Sequence, residues 1–204
     1  AAFEMIKDPD QNGPDSNPNG ALNDGGGAVY VADAGANTLL EVHANSAVSV
    51  VAVFPNRLVP PPPFLPPMDI AMQAVPTSVV RGPDGALYVS QLTGFPFPQG
   101  GARIFRVVPA AAPEVYATGF TNIIDLEFDA SGRLYVLEID TNGLLAPEVT
   151  GRLACVDVAG NTAVTVASEG LVMPGGMTIG PDGAIYVSNY SAMPGLGQVV
   201  RIQP

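Results

Sequence analysis

Four times along its length the chain passes through a turn, a small or aliphatic residue, and then Tyr-Val. The four copies are Gly27-Ala28-Val29-Tyr30-Val31, Asp84-Gly85-Ala86-Leu87-Tyr88-Val89, Ser131-Gly132-Arg133-Leu134-Tyr135-Val136 and Asp182-Gly183-Ala184-Ile185-Tyr186-Val187. Their tyrosines recur at intervals of 58, 47 and 51 residues. A self-similar unit of roughly 40–50 residues has the size of a four-stranded propeller blade. The repeat therefore predicts an all-β chain, a β-propeller built of four-stranded antiparallel blades. A β-sandwich in which the Tyr-Val copies are coincidental is the alternative.

Each unit divides into strands by its apolar runs. An inner strand precedes each Tyr-Val, as at Thr77–Val80, Ile123–Phe128 and Gly176–Ile179. The turns Gly82-Pro83-Asp84-Gly85 and Gly180-Pro181-Asp182-Gly183 join inner to second strand, because Pro presets φ and Gly supplies φ > 0. Third strands are predicted at Leu39–Val42, Arg103–Val107, Arg152–Val156 and Gln198–Ile202, and fourth strands at Val48–Phe54, Glu114–Thr118 and Ala163–Ala167. The blade units are then residues 17–54, 75–118, 121–167 and 171–204, in a single domain over 1–204 with a Pro-rich connection at 55–74. The last unit has no fourth strand before Pro204. Residues 1–7 read as an orphan outer strand able to complete a blade, since mixing strands from both ends of a chain closes a propeller and removes sheet edges.

Composition narrows the function classes. With 47% hydrophobic and 13% charged residues the chain is globular, and its 23 Gly and 21 Pro suit short strands and tight turns better than helices. A formal net charge of −11 repels phosphate backbones and argues against nucleic acid as a partner. No apolar run approaches the length of a membrane-spanning helix. One cysteine, Cys155, and one histidine, His43, cannot build a disulfide, a zinc cluster or a His-dependent hydrolase. Cys155 is expected as an inert thiol in an apolar strand and His43 as an exposed turn residue. The start at Ala-Ala-Phe, with neither an initiator Met nor a leader, suggests a processed chain or a piece of a longer one.

Several segments carry a family resemblance. Ala74-Val75-Pro76-Thr77-Ser78, Leu92-Thr93-Gly94-Phe95-Pro96-Phe97-Pro98, Tyr116-Ala117-Thr118-Gly119-Phe120-Thr121-Asn122-Ile123-Ile124-Asp125-Leu126, Tyr135-Val136-Leu137-Glu138-Ile139 and Val187-Ser188-Asn189-Tyr190 resemble the signature of the ScyD/ScyE family. Asp15-Ser16-Asn17-Pro18-Asn19-Gly20 and Tyr30-Val31-Ala32-Asp33-Ala34-Gly35 also fit. The resemblance implies a secreted, NHL-like propeller whose members are longer and six-bladed, with this chain matching their C-terminal part. It implies a fold more than a chemistry.

Candidate functional positions follow from the repeat. The third residue after each repeat tyrosine is Asp33, Gln91, Glu138 or Asn189, a carboxylate or amide at a strand end every time. Asn17, Thr77, Asn122 and Asp125 flank the inner strands. Together they form a candidate channel-face ring of oxygen ligands, suited to Ca²⁺ or another hard cation, which could polarise a carbonyl or activate water. Capping of turns explains the same residues. Asp8-Pro9-Asp10-Gln11-Asn12-Gly13 matches the first half of a calcium loop, with Asp8, Asp10 and Asn12 as ligands, but the closing Glu is missing and Asx turns in a Pro/Asn/Gly-rich loop are the preferred reading of the same letters. Val59-Pro60-Pro61-Pro62-Pro63-Phe64-Leu65-Pro66-Pro67 reads as a stiff polyproline II segment. With Phe95 and Phe97 it offers Phe64 as part of an apolar partner surface.

These readings predict a secreted or periplasmic binding or assembly module, engaging a protein, a second copy of itself or a small aromatic molecule. The competing reading is a metal-assisted lactonase, esterase or lyase acting through the ring. Fold alone does not decide between them.

Overall fold

A computed structural model describes residues 2–156 and 163–204. Among the described residues a short helix, α1 (Ala2–Lys7), is followed by seventeen strands. Blade 1 is β1 (Pro18–Asn23), β2 (Val29–Asp33), β3 (Thr38–Val42) and β4 (Val48–Val53). After a two-stranded ribbon, β5 (Arg57–Val59) and β6 (Ile70–Met72), blade 2 comprises β7 (Pro76–Arg81), β8 (Leu87–Gln91), β9 (Ala102–Val107) and β10 (Glu114–Phe120). Blade 3 is β11 (Ile123–Phe128), β12 (Leu134–Glu138), β13 (Arg152–Val156) and β14 (Ala163–Ala167); blade 4 is β15 (Gly176–Ile179), β16 (Ile185–Asn189) and β17 (Gln198–Ile202). Each blade is an antiparallel meander in chain order, and blade 4 holds three strands. Inner strands pack side by side, β1 on β7, β7 on β11 and β11 on β15, which sets the blades in succession around one axis.

The core lies between blades. On β8, Leu87 and Val89 pack toward Tyr30, Ala32 and Leu39 of blade 1, while Tyr88 packs toward Ile123, Leu134 and Val136 of blade 3. On β12 the same alternation sends Tyr135 and Leu137 onto Ile185 and Val187 of blade 4. In blades 2 and 3 the Tyr-Val copy is thus a period-2 strand buried on both faces, its tyrosine directed at the following blade and its valine at the preceding one. Each such large side chain contributes roughly 1.5–3 kcal/mol by leaving water.

Two expectations need correction. The orphan outer strand expected over residues 1–7 gives way to a helix over Ala2–Lys7, in keeping with the helix propensity of Ala, Glu, Met and Lys. The helix lies on the outward face of blade 1, where Phe3 and Glu4 border a cavity of about 250 Å³ with Val31, Leu40, Val42 and Val48. The Val59–Pro67 segment is not extended throughout: the Leu65 N–H donates to the Pro62 carbonyl at 3.0 Å and closes a turn, at the tip of a ribbon in which β5 and β6 pair from Arg57↔Met72 to Val59↔Ile70.

Candidate functional site

The residues at the third position past each repeat tyrosine are all buried. In Asp33, Glu138 and Asn189 at least one side-chain oxygen accepts a backbone N–H of the segment leading into the inner strand. Asp33 accepts hydrogen bonds from the Ser16 hydroxyl and the Asn17 N–H, both at 2.7 Å. Glu138 accepts the Thr121 N–H at 2.5 Å and a bond from the Arg152 guanidinium. Asn189 accepts the Val172 N–H and donates to the Gly170 carbonyl, each at 2.8 Å. The next N–H in each blade, from Ala34, Leu92, Ile139 or Tyr190, donates to the carbonyl of Asn17, Val75, Asn122 or Val172. A repeated latch therefore holds the segment leading into each inner strand.

Blade 2 departs from this pattern. The Val75 N–H donates to Asn37 Oδ1 of blade 1 at 2.9 Å, and Gln91 Oε1 is buried with no partner among the described residues. Burial pushes the Glu138 carboxyl up, against the pull of Arg152 and the Thr121 N–H.

The inner-strand candidates tie neighbouring blades together. Thr77 donates to the Ile123 carbonyl at 2.8 Å, and Asn122 donates to the Leu92 carbonyl at 2.7 Å. Asp125 binds Ser78 on one side and the Met177 N–H on the other. Asn17 is exposed at the start of blade 1 and contributes its backbone. Beside Asp125, Glu127 accepts the Ile179 N–H at 3.1 Å, and both carboxyls are pushed up chiefly by burial. The two acids border a depression of about 340 Å³ along β1, β7 and β11.

Phe64, Phe95 and Phe97 do come together. Ring centroids lie 6.5 Å apart for Phe64–Phe95 and 6.3 Å for Phe95–Phe97, the latter edge-on. Phe64 is 70% exposed and Phe95 40%, with Leu58 and Met68 also open to solvent nearby in sequence. Backbone bonds from Thr93 and Gly94 to the carbonyls of Ala74 and Gln73 fasten the Phe95 loop to the end of the ribbon. The result is an aromatic ridge on a supported base, at separations typical of interacting rings.

Asp8 and Asp10 also converge, and a carboxylate from outside their loop joins them. Asn12 donates its amide nitrogen to Asp10 at 2.7 Å, and its amide oxygen accepts from Asn56. Glu4 of α1 takes the third place, and the ligand oxygens of Glu4, Asp8 and Asp10 all lie within 4.8 Å of one another. Among the described residues this is the only trio of carboxylates, histidines or cysteines so placed; Asp33, Asp125 and Glu138 form none. Glu4 carried no repeat or motif signal in the sequence, and Asn37 stands outside the Tyr-Val register. His43, partly exposed, meets Ser49 at 3.1 Å, and Cys155 is half-buried with its thiol pushed up by burial.

No family model and no curated protein matches the sequence. Solved β-propellers do match the structure. A streptogramin B lyase aligns with TM-score 0.62 and 15% identity over 95% of this chain and 56% of its own. A gluconolactonase from Xanthomonas campestris aligns with TM-score 0.66 and 14% identity over 93% of this chain and 59% of its own. A nidogen/laminin complex structure aligns with TM-score 0.61 and 14% identity, over 91% and 65%. The chain thus spans a little over half the length of these propellers, and the likeness is one of fold. No helix among the described residues is long and apolar enough to cross a membrane.

Proposed function

We propose that this chain is part of a secreted or periplasmic propeller of the ScyD/ScyE type that works by binding, with the Phe64–Phe95–Phe97 ridge as its contact surface. The observation that carries this reading is the convergence of three phenylalanines from two distant segments into one exposed ridge. Such a surface, held on a paired ribbon, loses little conformational freedom when a partner covers it. The occupant it fits is an apolar protein surface or a planar aromatic molecule.

The catalytic alternative has less support. Asp33, Glu138 and Asn189 spend their side-chain oxygens on backbone N–H groups, the Ser16 hydroxyl and the Arg152 guanidinium, so few are left for a metal in the channel. A lactonase reading would rest instead on Asp125 and Glu127 beside the inner depression, in a fold shared with a gluconolactonase.

The test is binding of an aromatic fluorophore, anilinonaphthalene sulfonate, together with native mass across a range of protein concentration. Wild type should bind the dye or self-associate. Phe64→Ser with Phe95→Ser should weaken either by about ten-fold, the effect of losing roughly 1.4 kcal/mol. An unchanged double variant, or lactone hydrolysis lost in Glu127→Gln, would favour the enzyme.

A further inference from the structure

Glu4 is 2% exposed, and neither of its carboxylate oxygens has a hydrogen-bond partner among the described residues. Both features are costly for a carboxylate, which in a protein interior is normally paired, hydrogen-bonded or bound to a metal. Carboxylates dominate its surroundings, with the N-terminal amine acting against them. Asp8 and Asp10 place oxygens within 4.8 Å, and the field of Asp33 also acts on it. No described lysine, arginine or histidine forms an ion pair with any of these acids.

The remaining bonds orient this cluster. Asp10 is fixed by Asn37 Nδ2 and by Asn12, and Asp8 accepts the Gly13 N–H at 3.3 Å. Burial works to raise the Asp10 carboxyl, but those amide donors outweigh it and hold the group below its usual range. The loop thus presents oriented oxygens to a buried carboxylate that has no hydrogen-bond partner among the described residues.

We propose that Glu4, Asp8 and Asp10 bind a calcium ion that fastens α1 onto the outward face of blade 1. An all-oxygen, carboxylate-rich set selects a hard cation. Calcium holds its ligands at roughly 2.3–2.6 Å, so oxygens up to about 5 Å apart can share one ion, and water completes the shell. The ion's task is structural. A six-residue helix is too short to persist by itself, and its attachment to blade 1 rests on Phe3 and Glu4.

Lys7 is the sole lysine and is exposed, so a lysine-specific endoproteinase reads release of α1 at a single bond. Calorimetric titration should give one Ca²⁺ per chain. If the dissociation constant is about 10⁻⁴ M, about 1 mM Ca²⁺ should slow cleavage after Lys7 about ten-fold relative to EDTA. Glu4→Gln and Asp8→Asn, each with unchanged far-UV circular dichroism, should lose both the heat of binding and the protection. Absence of calcium binding to the wild-type chain would overturn the proposal, and so would variants protected as well as wild type.

Discussion

The Ser78 hydroxyl on β7 donates to Asp125 Oδ1 on β11 at 2.8 Å, while the other oxygen of that carboxylate accepts the Met177 N–H on β15 at 2.8 Å. One side chain thereby joins three consecutive blades at their inner strands. Removing it in Asp125→Ala strands a partly buried N–H and a buried hydroxyl, at about 1–3 kcal/mol for each group left unsatisfied. Urea unfolding should show a loss of that order. A change under about 0.5 kcal/mol, the usual scale of a surface substitution, would mean that the blades hold together without the bridge.

Glu138 is fully buried, and Arg152 is the only ion pair it makes among the described residues. Arg152→Met should destabilise the fold by about 3 kcal/mol, because it leaves a buried charge without compensation. The double variant with Glu138→Gln should recover much of the loss, since an amide oxygen can still accept the Thr121 N–H. Thermal melts of the four proteins in the cycle measure this, and additive effects would show that the pair is uncoupled.

Two glycines test the packing and the turns separately. A Cβ at Gly20 would stand 2.5 Å from the Thr77 carbonyl oxygen and 2.8 Å from Ser78 Cα, so Gly20→Ala must push β1 away from β7. Gly85 has open space around it but a φ of +80°. Gly85→Val should therefore cost about 1–2 kcal/mol through backbone conformation alone. Gly20→Ala should broaden or split the thermal transition by loosening blade 1, whereas Gly85→Val should only lower its midpoint.

Asp129 should dominate one step of acid sensitivity. Ser131 and Arg133 donate to its carboxyl, and these bonds outweigh burial to bring its pKa from 3.8 to about 2. A depressed carboxyl contributes stability that is complete above its unfolded pKa and disappears as pH falls through its folded one. The contribution should thus be present at pH 5 and lost between about pH 4 and about pH 2. Asp129→Asn should flatten that part of the stability profile; an equally steep profile would assign the loss to other acids.

The β-blades were legible because Tyr30, Tyr88, Tyr135 and Tyr186 mark the second strand of each blade, fully buried on both faces at Tyr88 and Tyr135, and turns such as Gly82-Pro83-Asp84-Gly85 bound them chemically. Predicted strand limits at Ile123–Phe128, Arg152–Val156 and Gln198–Ile202 coincide with β11, β13 and β17. Helix α1 was not legible, since six residues with mixed apolar and charged character carry too little periodicity to distinguish helix from strand. The β5–β6 ribbon was hidden by the prolines between its strands. At the candidate ring the residue types and positions were readable, but their direction was not. A polar side chain at a strand end can face a channel or close its own backbone, and the spacing of letters is the same for both. Glu4 gains its significance only when α1 folds back over blade 1, a relation no local pattern records.

Each of the three hydrophobic clusters is shared by one pair of adjacent blades. Such an array behaves as a one-dimensional chain of nearest-neighbour couplings, in which a unit's stability depends on the company it keeps rather than on the whole. Blades 2 and 3, each flanked on both sides, should therefore exchange their amide hydrogens last. Blade 4, with Val199 of β17 72% exposed, should open first and set the lowest protection along the sequence. The same locality makes the number of blades a quantity that gene duplication can change one unit at a time without redesigning the interior.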